Sequence, residues 1–237
     1  MNKEVGIISS IDISATPSFQ KKEELNVTNK FGNASLIRFD GFIWIPRHGQ
    51  NPSQYILPHV INHQANLQAL KDLNIQDVIG ICSVGSLTET LTPGTIIIPH
   101  DYISLAAVPT VFLNEAIHII PVLNEEIRTK LLTACRRCKI STASRGIYWQ
   151  SSGPRLETKA EIAMCSHFAD IIGMTMASEA TVANELGIPF AAVCTVDNYG
   201  NGIASDQLSY EFILEKARKN KGKVEKILMD VIGELSS

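Results

Sequence analysis

Asp197 and Asn198 stand at the end of an apolar run, Phe190-Ala-Ala-Val-Cys-Thr-Val196, and are followed by Tyr199-Gly200-Asn201-Gly202. The run reads as a buried strand. Open α/β sheets bind their ligands in the crevice beyond the carboxyl ends of the strands. A carboxylate and a carboxamide on the first turn after such a strand can therefore address a polar heterocycle, by accepting and donating hydrogen bonds. The same pair also fits an Asx turn that only ends the strand. What surrounds it decides between the two.

The elements that must position these groups alternate as in a mixed, largely parallel sheet flanked by helices, an α/β fold in a single domain over residues 1–237. Val5-Gly-Ile-Ile8 is a short apolar strand. Leu36–Phe39 and Phe42–Ile45 flank Asp40-Gly41, a tight-hairpin signal. Asn62 to Leu73 has helical spacing. Val78–Cys82 reads as a central strand leading into a turn at Ser83-Val-Gly-Ser86, and Thr92-Pro-Gly94 turns into a strand over Thr95–Ile98. A strand near Ile117–Ile120, a helix from Asn124 to about Cys138 and a strand over Gly146–Trp149 follow. Helices from Glu157 to about Phe168 and from Ser178 to Leu186 precede the strand that ends at Asn198. Residues 10–35 and 99–116 read as irregular, and long loops of this kind often cover sites.

Bulk properties narrow the partners. With 237 residues, 45% of them hydrophobic, the chain can bury one large core. A net charge of -3 gives no help to polyanion binding, so no nucleic-acid polymer is expected. Lys216, Arg218, Lys219, Lys221, Lys223 and Lys226 precede Val224, Ile227, Leu228, Val231, Ile232 and Leu235 at helical spacing, so the basic cluster reads as the wet face of a terminal helix. No long apolar run or leader-like start points to a membrane, and five cysteines, an odd number, suggest a reducing cytoplasm.

Four segments together carry a resemblance. They are Ile45-Pro-Arg-His-Gly49, Asn62-His-Gln-Ala-Asn66 through Cys82-Ser-Val-Gly-Ser86, Ser152-Gly-Pro-Arg-Leu-Glu-Thr158, and Gly173-Met-Thr-Met-Ala-Ser-Glu179 running on to Asn198. In this order and spacing the chain resembles the trimeric purine nucleoside phosphorylases, especially the branch acting on 5'-methylthioadenosine and 5'-methylthioinosine. The resemblance implies phosphorolysis of a purine N-glycosidic bond, giving free base and a ribose or methylthioribose 1-phosphate. Orthophosphate is then the co-substrate, no metal or other cofactor is required, and the assembly is a homotrimer. The residue types suit that chemistry: an oxyanion must be held beneath the sugar while the departing base receives a hydrogen bond or proton at N7.

Carried over position by position, the resemblance gives Asn198 the base N7 and 6-substituent, and Glu157 the N1-H of a 6-oxopurine. A one-residue slide would put Asp197 on N7 instead and favour a 6-aminopurine. Counting without gaps from Gly187-Ile-Pro189 keeps Asn198 there. Arg47, His48, Ser83 and Thr175 match phosphate-contacting positions; an arginine fork and backbone N-H groups of a turn after a strand are good anion donors. Met174, Leu156 and Val84 match nucleoside contacts, and His118 roughly matches a histidine lent to the 5'-end of a neighbouring subunit's nucleoside.

Departures from the family fall on the first loop. Gly6-Ile-Ile-Ser-Ser-Ile-Asp12 has Ile11 where a phosphate-binding hydroxyl is expected and an acid, Asp12, right after it. Pro52 stands where methylthionucleoside enzymes tend to have a second histidine. Ser9 or Ser10 is then the candidate replacement hydroxyl. If nothing compensates, a dianion site is weakened. Two alternatives stay open: a nucleosidase in which Asp12 positions water, or a binding protein that retains the purine pocket. Cys135-Arg-Arg-Cys138 has C-x-x-C spacing inside an expected helix without a second ligand pair, so no metal site is expected.

Overall fold

The computed structural model describes residues 3–14, 16–105, 109–204 and 210–236, with the side chains of Pro52, 210–214 and 216–218 left aside. Its strands are β1 Val5–Ser9, β2 Lys21–Asn29, β3 Gly32–Phe39, β4 Phe42–Pro46, β5 Val78–Ser86, β6 Ile96–Ile97, β7 Asp101–Ser104, β8 Thr142–Ala143, β9 Ile147–Gln150, β10 Ile171–Gly173 and β11 Phe190–Tyr199. The helices are α1 His63–Asp72, α2 Glu125–Arg137, α3 Lys159–Cys165, α4 Met176–Glu185 and α5 Tyr210–Leu235. One sheet runs β2-β3-β4-β1-β5-β10-β9-β7, with β11 on the other edge of β5 and β6 and β8 beyond it.

Two parallel groups meet head-on. β1 is parallel to β4 and β5, and β5 to β11; β9 is parallel to β7 and β10. Between the groups, β10 runs antiparallel to β5, pairing Ile171 with Ser86 and Ile172 with Gly85. The carboxyl ends of both groups therefore converge on the middle of β5. On that edge β1 stops at Ser9 opposite Ile81, and β10 begins at Gly85. Cys82, Ser83 and Val84 have no strand partner there among the described residues. An unpaired backbone edge inside a fold is a ready site for a ligand's polar groups.

Apolar alternation builds a core on each face of the sheet. On one side Val224, Ile227, Leu228, Val231 and Leu235 of α5 pack with α2 on Ile79, Ile81, Ala191 and Val193. On the other, α1 and α4 cover Val78, Cys82, Phe190, Ala192 and Cys194. Each Val, Leu, Ile or Phe among them contributes about 1.5–3 kcal/mol of burial before chain entropy is set against it.

Local chemistry explains the helix starts. Asn62 caps Ala65 N (2.9 Å) and Asn124 caps Ile127 N (2.9 Å). Thr158 and Glu161 form a capping box, so α3 begins after the expected Glu157. α4 is capped from outside: Tyr148 Oη accepts from Thr175 N and Met176 N, and Gln150 Oε1 accepts from Ala177 N (2.7 Å) and Ser178 N (3.2 Å). A Cβ at Gly173 would stand 2.5 Å from that phenol, so glycine is needed for the cap.

Three readings from sequence are corrected. Lys21–Asn29, inside the expected irregular stretch, is a strand hairpinned to β3; its largely polar, exposed face hid it. Asp101–Ser104 likewise forms β7. Ile117–Ile120 is not a strand: it is coil, with Ile117 and Ile120 exposed.

Candidate active site

β11 does not stop at Val196. It pairs with β5 as far as Tyr199, with a bulge that places Val196 opposite Val84 and Asn198 opposite Gly85, leaving Asp197 as the extra residue. The bulge separates the two polar neighbours. Asp197 is fully buried: its Oδ2 accepts from Thr195 Oγ1 (2.9 Å), its Oδ1 from Asn220 Nδ2 of α5 (2.7 Å), and Ser83 donates to it as well. Burial raises its pKa against these bonds. Asp197 as a base contact is thus corrected, because both oxygens are spent on the scaffold. Asn198 lies instead over Gly85, where an added Cβ would stand 3.1 Å from its Nδ2. The missing side chain at Gly85 makes the room for the carboxamide, which meanwhile donates to Tyr199 O (2.7 Å).

Glu157 is brought to the same end of the sheet. Its carbonyl accepts from Asn201 Nδ2 (3.2 Å), which ties the segment before α3 to the loop after β11. It is half-buried, and because Glu161 takes the capping role its carboxylate is not drawn into the helix start. Leu156 beside it is exposed and Val84 buried. Met174 follows β10 and is covered by Gly153, whose φ of +62° suits glycine and whose added Cβ would meet Met174 Sδ at 2.5 Å. The Gly153-Pro154 peptide is cis.

Arg47 differs from the open anion anchor expected of it. Its side chain is fully buried and paired with Glu179 of α4: Nε donates to Oε1 (2.7 Å) and Nη2 to Oε2 (2.8 Å). Nη1 donates to Ile81 O (2.5 Å) and Nη2 to Ile8 O (3.0 Å). Four of the five guanidinium N-H groups are thus engaged, leaving one on Nη1. Burial works against both charges; Glu179 more than offsets this for Arg47, whose pKa is raised, while the Glu179 pKa is raised despite Arg47. Glu179 received no role from sequence. The available signal was an acid inside an apolar helix segment, four residues after Thr175 and so on its face. Gly80 admits it, since a Cβ there would lie 3.2 Å from Glu179 Oε2.

His48 is half-buried, stacked on Tyr55 with ring centroids 4.5 Å apart, and its Nδ1 lies 2.7 Å from Ile56 O. Burial takes its pKa down to about 4, so it is neutral near pH 7. With Nδ1-H donating to that carbonyl, Nε2 is left as an acceptor suited to a protonated phosphate oxygen. Thr175 opens α4 without capping it, so its hydroxyl stays out of the helix; Oγ1 lies 4.0 Å from Cys82 Sγ on the unpaired edge of β5.

Ser9 is corrected as the replacement hydroxyl. It is buried, donates to Ile11 O (2.6 Å) and accepts from Trp44 Nε1 (2.9 Å). Ser10 is exposed beside it. Asp12 is turned onto its own loop, accepting from Ser14 N (2.8 Å) and Oγ (2.6 Å). Ser83-Val84-Gly85 is strand rather than turn, and what Ser83 offers a ligand is its backbone edge.

His118 is not brought to these groups by any contact among the described residues. It sits exposed on the segment 109–124, which Glu185 pins at Thr110 Oγ1 (2.9 Å) and Val111 N (2.7 Å), and Asn184 at Val122 N (3.1 Å). Cys135 and Cys138 lie on and at the end of α2; among the described residues no group of three His, Cys, Asp or Glu is placed to hold a metal ion.

The carboxyl ends of two parallel strand groups thus converge on the middle of β5, an arrangement that defines the class as an α/β fold with a mixed sheet. It superposes on methylthioadenosine phosphorylase from Schistosoma mansoni solved with adenine (TM-score 0.88, 24% identity, 98% of this chain and 91% of that one), a likeness of fold. A family model described as the phosphorylase superfamily matches residues 3–233, and the chain belongs to that family. It is 40% identical over 233 residues to a probable 6-oxopurine nucleoside phosphorylase of Archaeoglobus fulgidus, covering 96% of this chain and 95% of the relative. It is also 33% identical to a probable S-methyl-5'-thioinosine phosphorylase of Methanocaldococcus jannaschii, covering 96% and 91%.

Proposed function

We propose that the protein catalyses phosphorolysis of a 6-oxopurine nucleoside or its 5'-methylthio analogue. Asn198, standing clear of Asp197 at the β11 bulge and tied through Asn201 to the Glu157 segment, is the observation that carries the 6-oxo reading. A carboxamide donates to N7 as charge builds on the leaving base, and Glu157 accepts N1-H. Met174 lies along the ribose. Beneath it the free Arg47 N-H, the Thr175 hydroxyl and the β5 backbone edge hold orthophosphate, with His48 accepting from its protonated oxygen. The names of the two relatives above, one for 6-oxopurine nucleosides and one for methylthioinosine, support this base class. Orthophosphate is the co-substrate and the chemistry calls for no further cofactor. Against a nucleosidase, Asp12 is occupied by Ser14.

Product analysis on inosine, methylthioinosine and methylthioadenosine, with and without phosphate, tests the reaction: a sugar 1-phosphate is expected, and free sugar overturns it. Asn198→Asp should shift preference towards 6-aminopurines, and Glu157→Gln should weaken 6-oxopurine binding by about 1–3 kcal/mol through loss of a charged acceptor. Unchanged ratios of kcat/KM for inosine and adenosine in both variants would remove the assignment.

The active form we propose is a cytoplasmic homotrimer in which His118 reaches a neighbour's site. Tyr55, Ile56, Leu57 and Val60 are exposed together, as are Leu113, Ile117, Ile120 and Val122, and Gln64 links the two segments by donating to Thr110 O (3.0 Å). Light scattering should give three times the chain mass, and Ile120→Asp should lower it. A monomeric wild type at micromolar concentration contradicts this.

A further inference from the structure

His63 opens α1, one residue after its Asn62 cap, and its imidazole turns inward. Its Nδ1 is buried without a hydrogen-bond partner, which folded proteins seldom keep without a use. Glu179 Oε1 stands 3.9 Å from that nitrogen. This is too long for a hydrogen bond, but a shift of about 1 Å brings it into range. The charged and titratable groups that bear on His63 are Glu179 from α4 and Arg47 and His48 at the end of β4. Burial, then Arg47 and His48, hold the imidazole neutral, with its pKa down to about 3. A neutral imidazole protonated on Nδ1 is a donor facing a carboxylate.

Glu179 holds two N-H groups of Arg47, on Nε and Nη2, beside the one left free on Nη1. We propose that His63 is a positioning residue for the anionic co-substrate: its Nδ1-H takes up Glu179 Oε1 as the anion arrives, and so releases Arg47 N-H groups to that anion. No proton changes hands; only hydrogen-bond partners are exchanged. Without His63, each N-H drawn away from Glu179 leaves a buried carboxylate oxygen bare, and the anion has to compete with it. The inference rests on the phosphorolysis reading above.

Steady-state kinetics with phosphate varied at saturating nucleoside, on the full chain and on H63F, H63N and H63Q, tests it. An Asn amide nitrogen falls near the place of Nδ1, whereas Gln reaches towards Nε2. H63F should raise the phosphate KM about tenfold or more, the worth of one hydrogen bond to a charged group. Its kcat should stay within about twofold of wild type. H63N should restore the phosphate KM and H63Q should not. An unchanged phosphate KM in H63F, or rescue by H63Q as good as by H63N, overturns the inference. If H63F does not fold, nitrogen NMR of His63 in the wild type titrated with sulfate decides it: a moved Nδ1 signal supports the exchange and an unmoved one refutes it. Absence of phosphate-dependent turnover in wild type would instead overturn the reaction reading, and the sulfate titration would then judge His63 on its own.

Discussion

Glu179→Ala is expected to destabilise the fold by about 3–5 kcal/mol, the usual consequence of removing one partner of a buried ion pair. Arg47 would keep the carbonyls of Ile8 and Ile81 but lose the only carboxylate it pairs with among the described residues, leaving a buried charge unbalanced. The side chain ties the end of β1 and the middle of β5 to α4, so the damage should centre where the strands converge. Glu179→Gln should fall between wild type and Ala, because an amide oxygen still accepts from one N-H without balancing the charge. Urea unfolding midpoints of the three proteins measure this. A loss in Glu179→Ala below about 1 kcal/mol would mean that water reaches Arg47 and that the pair is an ordinary exposed one.

The second large effect is acid sensitivity. His48 and His63 are held neutral in the fold, with pKa values down to about 4 and about 3, whereas an unfolded histidine titrates near 6.5. Below that value the unfolded chain binds more protons than the folded one. Stability is therefore full above about pH 6.5 and declines as pH falls towards 4 and 3, at up to about 1.4 kcal/mol per pH unit for each histidine. The raised pKa values of Glu179 and Asp197 act in the opposite sense, since these acids take up protons more readily folded than unfolded, and they soften the slope. Urea midpoints at pH 7, 5.5 and 4.5 should fall steadily in wild type, and His63→Phe should flatten the decline. Equal pH slopes in the two proteins would contradict the burial of a neutral His63.

Two helix starts and the hairpin were plain in the sequence because each rests on a local rule, whereas α4, capped by Tyr148 and Gln150, begins at Met176 and not at the expected Ser178. Asn62, Asn124 and the Asp40-Gly41 turn act within a few residues of themselves. The positions of Met174 and Thr175, between β10 and α4, follow from a short apolar strand and a helix start that are close in sequence. The site was less legible where pairing is long-range. Ser83-Val-Gly-Ser86 and Asp197-Asn198 have the composition of turns, yet each strand continues because the other is its partner. Arg47 looked like an open donor because nothing near it in sequence announces Glu179, 132 residues away. Ile117 and Ile120 have the composition of a buried strand, but their exposure shows that apolar side chains alone do not supply a pairing partner.

The bulge in β11 has a consequence for how this chain can vary. Two adjacent codons specify residues with separate surroundings: Asp197 holds β11 to α5, and Asn198 lies over Gly85. Under the function proposed above, a substitution at 198 retunes base preference while the strand stays in place, whereas one at 197 loosens the support that Asn220 and Thr195 give to β11. Deleting either residue is a different event from replacing it. Loss of one position would erase the extra residue, restore plain alternation against β5 and carry whichever side chain remains out of its present direction. Laboratory libraries that randomise 198 at fixed length should therefore yield folded proteins of altered selectivity, while single-residue deletions across 196–198 should yield few folded proteins at all.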